Sequence, residues 1–248
     1  MSSLAKILPW DTEFFGMRIA RLVTPALSQE DALALERWAR AERVACVYVL
    51  IDAGDLDTTR MMAVLGASLL DVRVTLATDG RGPTEVSPSV AAAREANEAD
   101  LPALEEVAAS AHRYSRFYAD PRFDRGRVDD LYRVWIRNAV RGGTGVVTFD
   151  EANRAAGYVT YAIGRGESPD VGEIGLVGVA ERARGRGMGT ALLNGAMSRL
   201  SQGGASRVRV VTQGRNVVAQ RMYQKSHFRT ERVELWFHIW FDDASPGG

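Results

Sequence analysis

Cysteine is almost missing from this chain. Cys46 stands alone among 248 residues, so no disulfide can close within the molecule and a reducing, cytoplasmic setting is expected. Histidine is scarce too: His112, His227 and His238 lie far apart and in no zinc-type spacing with that cysteine, so no metal site is expected. Neither sign of charge is in excess. Thirty-one Lys plus Arg face 31 Asp plus Glu, and no recognition-helix pattern accompanies them, which speaks against a nucleic-acid partner or a membrane surface. No apolar run approaches the roughly 20 residues needed to span a bilayer, and the opening MSSLAKILPWDTEFFG has no signal-type hydrophobic segment before Pro9 and Asp11. What is left is an ordinary globular composition, 46% hydrophobic and 25% charged, which implies a soluble protein with a substantial core. Any anionic ligand must then be met by locally concentrated charge.

Residues 79–89 (DGRGPTEVSPS) gather Gly, Pro, Ser and charge between two patterned regions and read as a linker. Residues 1–78 read as a small α/β unit. It has aromatics at Trp10, Phe14 and Phe15, an Ala-rich helix over 29–43, a strand over 46–51, a helix over 57–65 and a strand over 70–76. Residues 90–242 form the larger domain, with helices over 99–111, 128–141, 187–201 and 216–225. Its strands are placed at 145–149, 156–163, 173–180, 207–212 and 232–240, and a flexible tail follows at 243–248. This order implies an α+β fold with a mixed, mostly antiparallel twisted sheet. A weak repeat links the regions at one offset, pairing Val49 with Val210, Asp55 with Asn216, Met61 with Met222, Met62 with Tyr223 and Val72 with Val233. Only the second copy carries a phenol at the Met62 position.

The most informative stretch runs from Glu173 to Leu193, EIGLVGVAERARGRGMGTALL, where an apolar strand passes through a basic, glycine-rich turn into a helix. Gly185, Gly187 and Gly189 leave little bulk there, so amides at the helix start can close on phosphate oxygens, aided by the helix dipole. Arg182, Arg184 and Arg186 add charge in the same place. A Walker loop is excluded because no Lys follows the glycines. A Rossmann turn is disfavoured, because the spacing is G-x-G-x-G and the next strand ends at Thr212-Gln213 without an acid.

The arrangement V-x-x-x-x-R-G-x-G-x-G from Val179 to Gly189 resembles the acetyl-CoA signature of the GCN5-related N-acetyltransferase (GNAT) superfamily. A second segment, Asn216-x-x-Ala219-x-x-x-Tyr223 followed by Ser226-His227-Phe228, is similar to another of its motifs, with His227 where glycine is usual. The resemblance implies a GNAT-type sheet flanked by helices. It implies acetyl-CoA as cosubstrate on Val177, Val179, Arg184, Gly185, Arg186, Gly187, Met188, Gly189, Thr190 and Asn216, with Tyr223 protonating the departing thiolate. A helix N-cap is the other reading of Asn216. Beyond these motifs, W-D-T-E-F-F-G (Trp10 to Gly16), Ser115-Arg116-Phe117, W-I-R-N-A-V-R-G (Trp135 to Gly142) and Gly157-Tyr158-Val159 look like a nucleotide-sugar branch of the superfamily, which acetylates a dTDP-linked 4-amino-4,6-dideoxyhexose. That likeness makes Asp71 a general base by position, and it implies a homodimer. An amine that arrives neutral and loses its proton to solvent after attack would need no such base.

The acceptor is expected on 112–127 (HRYSRFYADPRFDRGR), where five arginines and four aromatics suit a nucleotide diphosphate. Arg116, Phe117 and Tyr118 are the principal candidates, with Phe14 and Phe15 joining them. Other acceptors on the same scaffold, a protein N-terminus, an aminoglycoside or a polyamine, would call for an acidic pocket instead. A non-catalytic module that only binds CoA would have no use for Tyr223.

Overall fold

The computed structural model describes residues 4–24, 26–80, 93–142, 144–164 and 169–241. Apart from Asp79 and Gly80, the expected 79–89 linker lies outside these residues, as does the 243–248 tail. The strands are β1 (Ala5–Ile7), β2 (Ile19–Leu22), β3 (Cys46–Asp52), β4 (Ser68–Asp79), β5 (Arg94–Glu95), β6 (Gly145–Glu151), β7 (Arg154–Ile163), β8 (Val171–Val179), β9 (Arg207–Gln213) and β10 (Arg229–Trp240). The helices are α1 (Pro9–Phe15), α2 (Gln29–Ala41), α3 (Leu56–Val64), α4 (Leu101–Ala111), α5 (Arg116–Ala119), α6 (Arg125–Arg141), α7 (Met188–Gln202) and α8 (Val217–Lys225). All ten strands form one sheet in the order β1-β2-β3-β10-β4-β9-β8-β7-β6-β5. Among the described residues, only β2–β3 and β8–β9 run parallel. The sheet is therefore continuous across residues 1–78 and 90–242, with β4 of the first run seated between β9 and β10 of the second.

Alternation along the strands decides which helix covers which face. On β7, the space beside Gly157 is filled by Leu192 of α7, while the next residue, Tyr158, bonds His112 at the end of α4 (2.7 Å). Those two helices consequently cover opposite faces. On β3, Val47, Val49 and Ile51 pack with Leu35 and Ala39 of α2 and Met62 of α3, whereas Cys46 and Tyr48 turn toward Phe117 and Phe123. Among the described residues, no helix is long and apolar enough to cross a membrane.

The 161-residue offset seen in the sequence is a property of the fold. Shifting β3, α3 and β4 by that interval reproduces the bounds of β9, α8 and β10. Register follows suit: Glu234 faces Asp52 as Arg73 faces Gln213, and the bulge at Glu231 on β10 has its counterpart at Leu70 on β4. A local two-fold axis thus passes through the β4–β10 pair at Arg73 and Glu234, which face each other and form an ion pair at 2.7 Å. Capping repeats as well. The Asp55 side chain accepts from the Thr58 amide and Asn216 from that of Ala219, and the second residue past each helix is left-handed, Gly66 at φ 63 and His227 at φ 66.

Candidate functional site

The repeat diverges where the sheet opens. Strands β8 and β9 pair only from Val171 to Ile174 against Arg207 to Val210 and then splay apart. A bulge in the β7–β8 ladder carries the register from Tyr161↔Ile174 to Val159↔Val177, and Thr160 Oγ1 accepts the Leu176 amide there (2.8 Å). Past the bulge, the Ala180 amide bonds the Ala156 carbonyl, which sets the phase of the ladder. Because hydrogen-bonded and non-bonded pairs alternate in antiparallel strands, the amides of Val177 and Val179 point away from β7, into the splay.

The splay runs into the start of α7. Gly187 stands ahead of the helix at φ 79, a left-handed conformation that a side chain would strain, and it offers no capping group. The first intrahelical bond is from Ala191 to Gly187, so the amides of Met188, Gly189 and Thr190 have no partner one turn back. A Cβ on Gly189 would lie 2.9 Å from Met222 Sδ, so its absence lets α7 and α8 approach. The corresponding helix of the first copy, α2, is closed: Ser28 and Asp31 form a capping box over its first amides. One copy leaves its helix start without a side-chain cap, and in the other the Ser28 hydroxyl accepts from the Asp31 amide while the Asp31 carboxylate accepts from the Ser28 amide.

The arginines of this turn have partners within the chain. Arg182 and Arg186 pair with Glu151, and Arg184 Nε donates to the Val179 carbonyl (3.0 Å). Glu151 arrives through the tight β6–β7 turn, where Ala152 and Asn153 both have positive φ.

Next to the splay lies a cavity of about 360 Å³ that brings together Asp71, Arg116, Phe117, Val177, Asn216 and Tyr223. Tyr223 is held from both ends of α8. Asn216 caps the start through the Ala219 amide (3.1 Å), so the N-cap reading of that residue is observed directly. At the far end His227 donates to the Gln224 carbonyl and Phe228 to that of Tyr223, a Schellman motif whose apolar contact is the Tyr223–Phe228 ring pair at 5.8 Å. Burial pushes the Tyr223 phenol above its ordinary range, keeping it protonated at neutral pH.

Asp71 is 7% exposed, and its Oδ1 is buried with no hydrogen-bond partner. Burial pushes its carboxyl up to about 7, against the opposing pull of Arg215, the Val72 amide and Arg116. Arg116 lies over the rings of Phe117 and Trp236, each at 4.2 Å, and burial lowers its pKa. His112 and Tyr132 also line the cavity, stacked at 4.4 Å, with the histidine held neutral because burial lowers it to about 4.

Three expected acceptor residues do not reach this cavity. Phe15 stacks behind Phe117 (5.7 Å) and Phe14 on Trp10 (5.0 Å), while the Tyr118 hydroxyl is taken by Asp129 and the Ala109 carbonyl. They build the aromatic layer that supports the cavity wall. Sequence reasoning did not single out Trp236, Tyr132 or Arg21 on that wall. Among the described residues, no group of three or more His, Cys, Asp or Glu could hold a metal ion.

The sheet opens between parallel strands onto an uncapped helix start, beside a cavity lined by both the Tyr223 phenol and the Asp71 carboxylate. The chain belongs to the acetyltransferase (GNAT) family, whose model matches residues 104–228. It is 34% identical over 242 residues to the dTDP-fucosamine acetyltransferase of Escherichia coli O6:H1, covering 93% of this chain and 96% of that one. It is also 25% identical to the mycothiol acetyltransferase of Clavibacter sepedonicus, covering 87% of this chain and 66% of that protein's length. In fold it is similar to a GCN5-related N-acetyltransferase from Sphaerobacter thermophilus, with a TM-score of 0.62, 17% identity, and 98% and 77% of the two chains covered.

Proposed function

We propose that the protein transfers an acetyl group from acetyl-CoA to the amine of a nucleotide-linked amino-deoxy sugar, of the dTDP-4-amino-4,6-dideoxyhexose type, by direct attack within a ternary complex. The observation that carries this reading is one cavity holding Tyr223, the partnerless Asp71 Oδ1 and the Arg116 guanidinium beside the β8–β9 splay. The resemblance to an enzyme named for dTDP-fucosamine, along nearly its whole length, supports the acceptor class.

The residues present fit the pyrophosphate of a CoA-type carrier, because the start of α7 keeps three amides without an intrahelical partner and has no capping side chain. On this reading Met188, Gly189 and Thr190 hold that group, flanked by Arg184, Gly185, Arg186 and Gly187. The Val177 amide polarises the carbonyl under attack. Asp71 takes the proton from the attacking amine, the new C–N bond forms as the C–S bond breaks, and Tyr223 gives its proton to the leaving sulfur. A phenol raised by burial can protonate a thiolate, ordinarily about 8.5, because the same apolar surroundings raise the thiol too. Residues 1–78 supply part of the acceptor wall through Asp71. The reaction is assigned to the cytoplasm and to a homodimer, with small molecules as the only substrates.

The test is incubation with acetyl-CoA and a panel of amines, following thiol release and product mass. The expected result is turnover confined to nucleotide-linked amino sugars. Turnover only with polyamines, aminoglycosides or peptides would overturn the acceptor.

A further inference from the structure

Beyond Asp71, three arginines line the cavity wall: Arg21, Arg73 and Arg116. Arg73 is neutralised by Glu234 at 2.7 Å. Arg21 and Arg116 have no carboxylate partner among the described residues, and both guanidiniums stand over one indole, Trp236, at 5.6 and 4.2 Å. Such stacking uses the face of a guanidinium and leaves its in-plane N–H donors for a ligand. Trp236 faces Asp71 across the β4–β10 ladder, so the indole that both guanidiniums cover lies beside the carboxylate. Three polar atoms on this wall, Asp71 Oδ1, Ser115 Oγ and Arg116 Nε, are buried with no partner, which is costly unless a ligand supplies one. In a chain of zero net charge this is a concentration of positive charge.

The geometry points to Arg21 and Arg116, stacked on Trp236, as a clamp for the diphosphate of the acceptor. Arg21, from the N-terminal unit, sets the preference for a nucleotide-linked over a free amino sugar. This assignment of Arg21 rests on the nucleotide-sugar reading above. Two planar donors without an ion-pair partner match a diphosphate in both charge and number of acceptor oxygens. Arg215 is tied instead to the carbonyls of Leu70 and Tyr114, both at 3.1 Å, and holds the wall together.

Arg21 is exposed, so Arg21→Gln should fold normally. Two quantities test the clamp: calorimetric affinity for dTDP, and the ratio of kcat/KM between a dTDP-linked amino sugar and the same sugar without its nucleotide. In R21Q the dTDP affinity is expected to fall at least tenfold, and the ratio to fall by a similar factor through KM. R21K, which keeps the charge without the planar stack, should fall between. Wild-type dTDP affinity in R21Q would overturn the clamp. If the wild-type enzyme acetylates only amines without phosphate, the nucleotide-sugar reading fails. The titration then still decides the clamp: dTDP binding lost in R21Q sustains it, and no binding to wild type ends it.

Discussion

Replacing Asp71 by Asn removes the proposed base while keeping its shape, and the structure sets the scale of the effect. With a carboxyl near 7 in the free enzyme, the ionised fraction rises from about 9% at pH 6 to about 91% at pH 8, so kcat/KM should climb roughly tenfold across that interval. The Asn variant should lose that step, keep any limb belonging to the acceptor amine, and run about 10² to 10⁴ slower at pH 8. Stability supplies a second readout with a defined sign. Between the ordinary carboxylate value of 3.8 and about 7, the folded protein keeps a proton that the unfolded chain has released, so Asp71 erodes stability as pH rises through that window. The Asn variant should accordingly gain in Tm relative to wild type from pH 4 to pH 7 and hold that gain above it. Steady-state rates from pH 5.5 to 9 and thermal melts in the same buffers make the comparison. An Asn variant with the wild-type pH step, or a rate within twofold of wild type, would refute the assignment.

Tyr223→Phe should lower kcat by about 10² to 10⁴ with little change in the KM for acetyl-CoA, measured by thiol release. A KM effect alone would mark the hydroxyl as a binding group. His227→Gly should raise stability by about 1 kcal/mol, since His227 sits at φ 66 where Gly66 serves in the first copy, and denaturant unfolding reads this directly. Gly189→Val should raise the KM for acetyl-CoA at least tenfold, because a branched side chain, with its Cβ 2.9 Å from Met222 Sδ, crowds the Met188–Thr190 amides, leaving dTDP affinity as the internal control.

The sequence carried much of this arrangement. Strands and helices with strong alternation, such as β3, β9 and α2, lie within a residue or two of their expected bounds, and the glycine turn and Tyr223 segment flank one opening in the sheet. The single offset joining Met62 to Tyr223 proved to be a local two-fold relation of the structure. What could not be read was decided by contacts distant along the chain. Glu151 pairs with both Arg182 and Arg186, and nothing in RARGRG signals that carboxylate. Phe14, Phe15 and Tyr118 carry the composition of a binding loop, yet the aromatic layer under the cavity absorbs them. Arg21 stands on a four-residue strand too short for a periodic signal, and it reaches the site because β2 pairs with β3 and β3 pairs with β10, which carries Trp236.

A crystal structure with acetyl-CoA bound tests the central claim most directly. The account predicts pyrophosphate oxygens within about 3.2 Å of the Met188, Gly189 and Thr190 amides, and the thioester between β8 and β9 with its carbonyl on the Val177 amide and its sulfur beside Tyr223. A carrier bound elsewhere, or those amides closed by the protein's own groups, would contradict it.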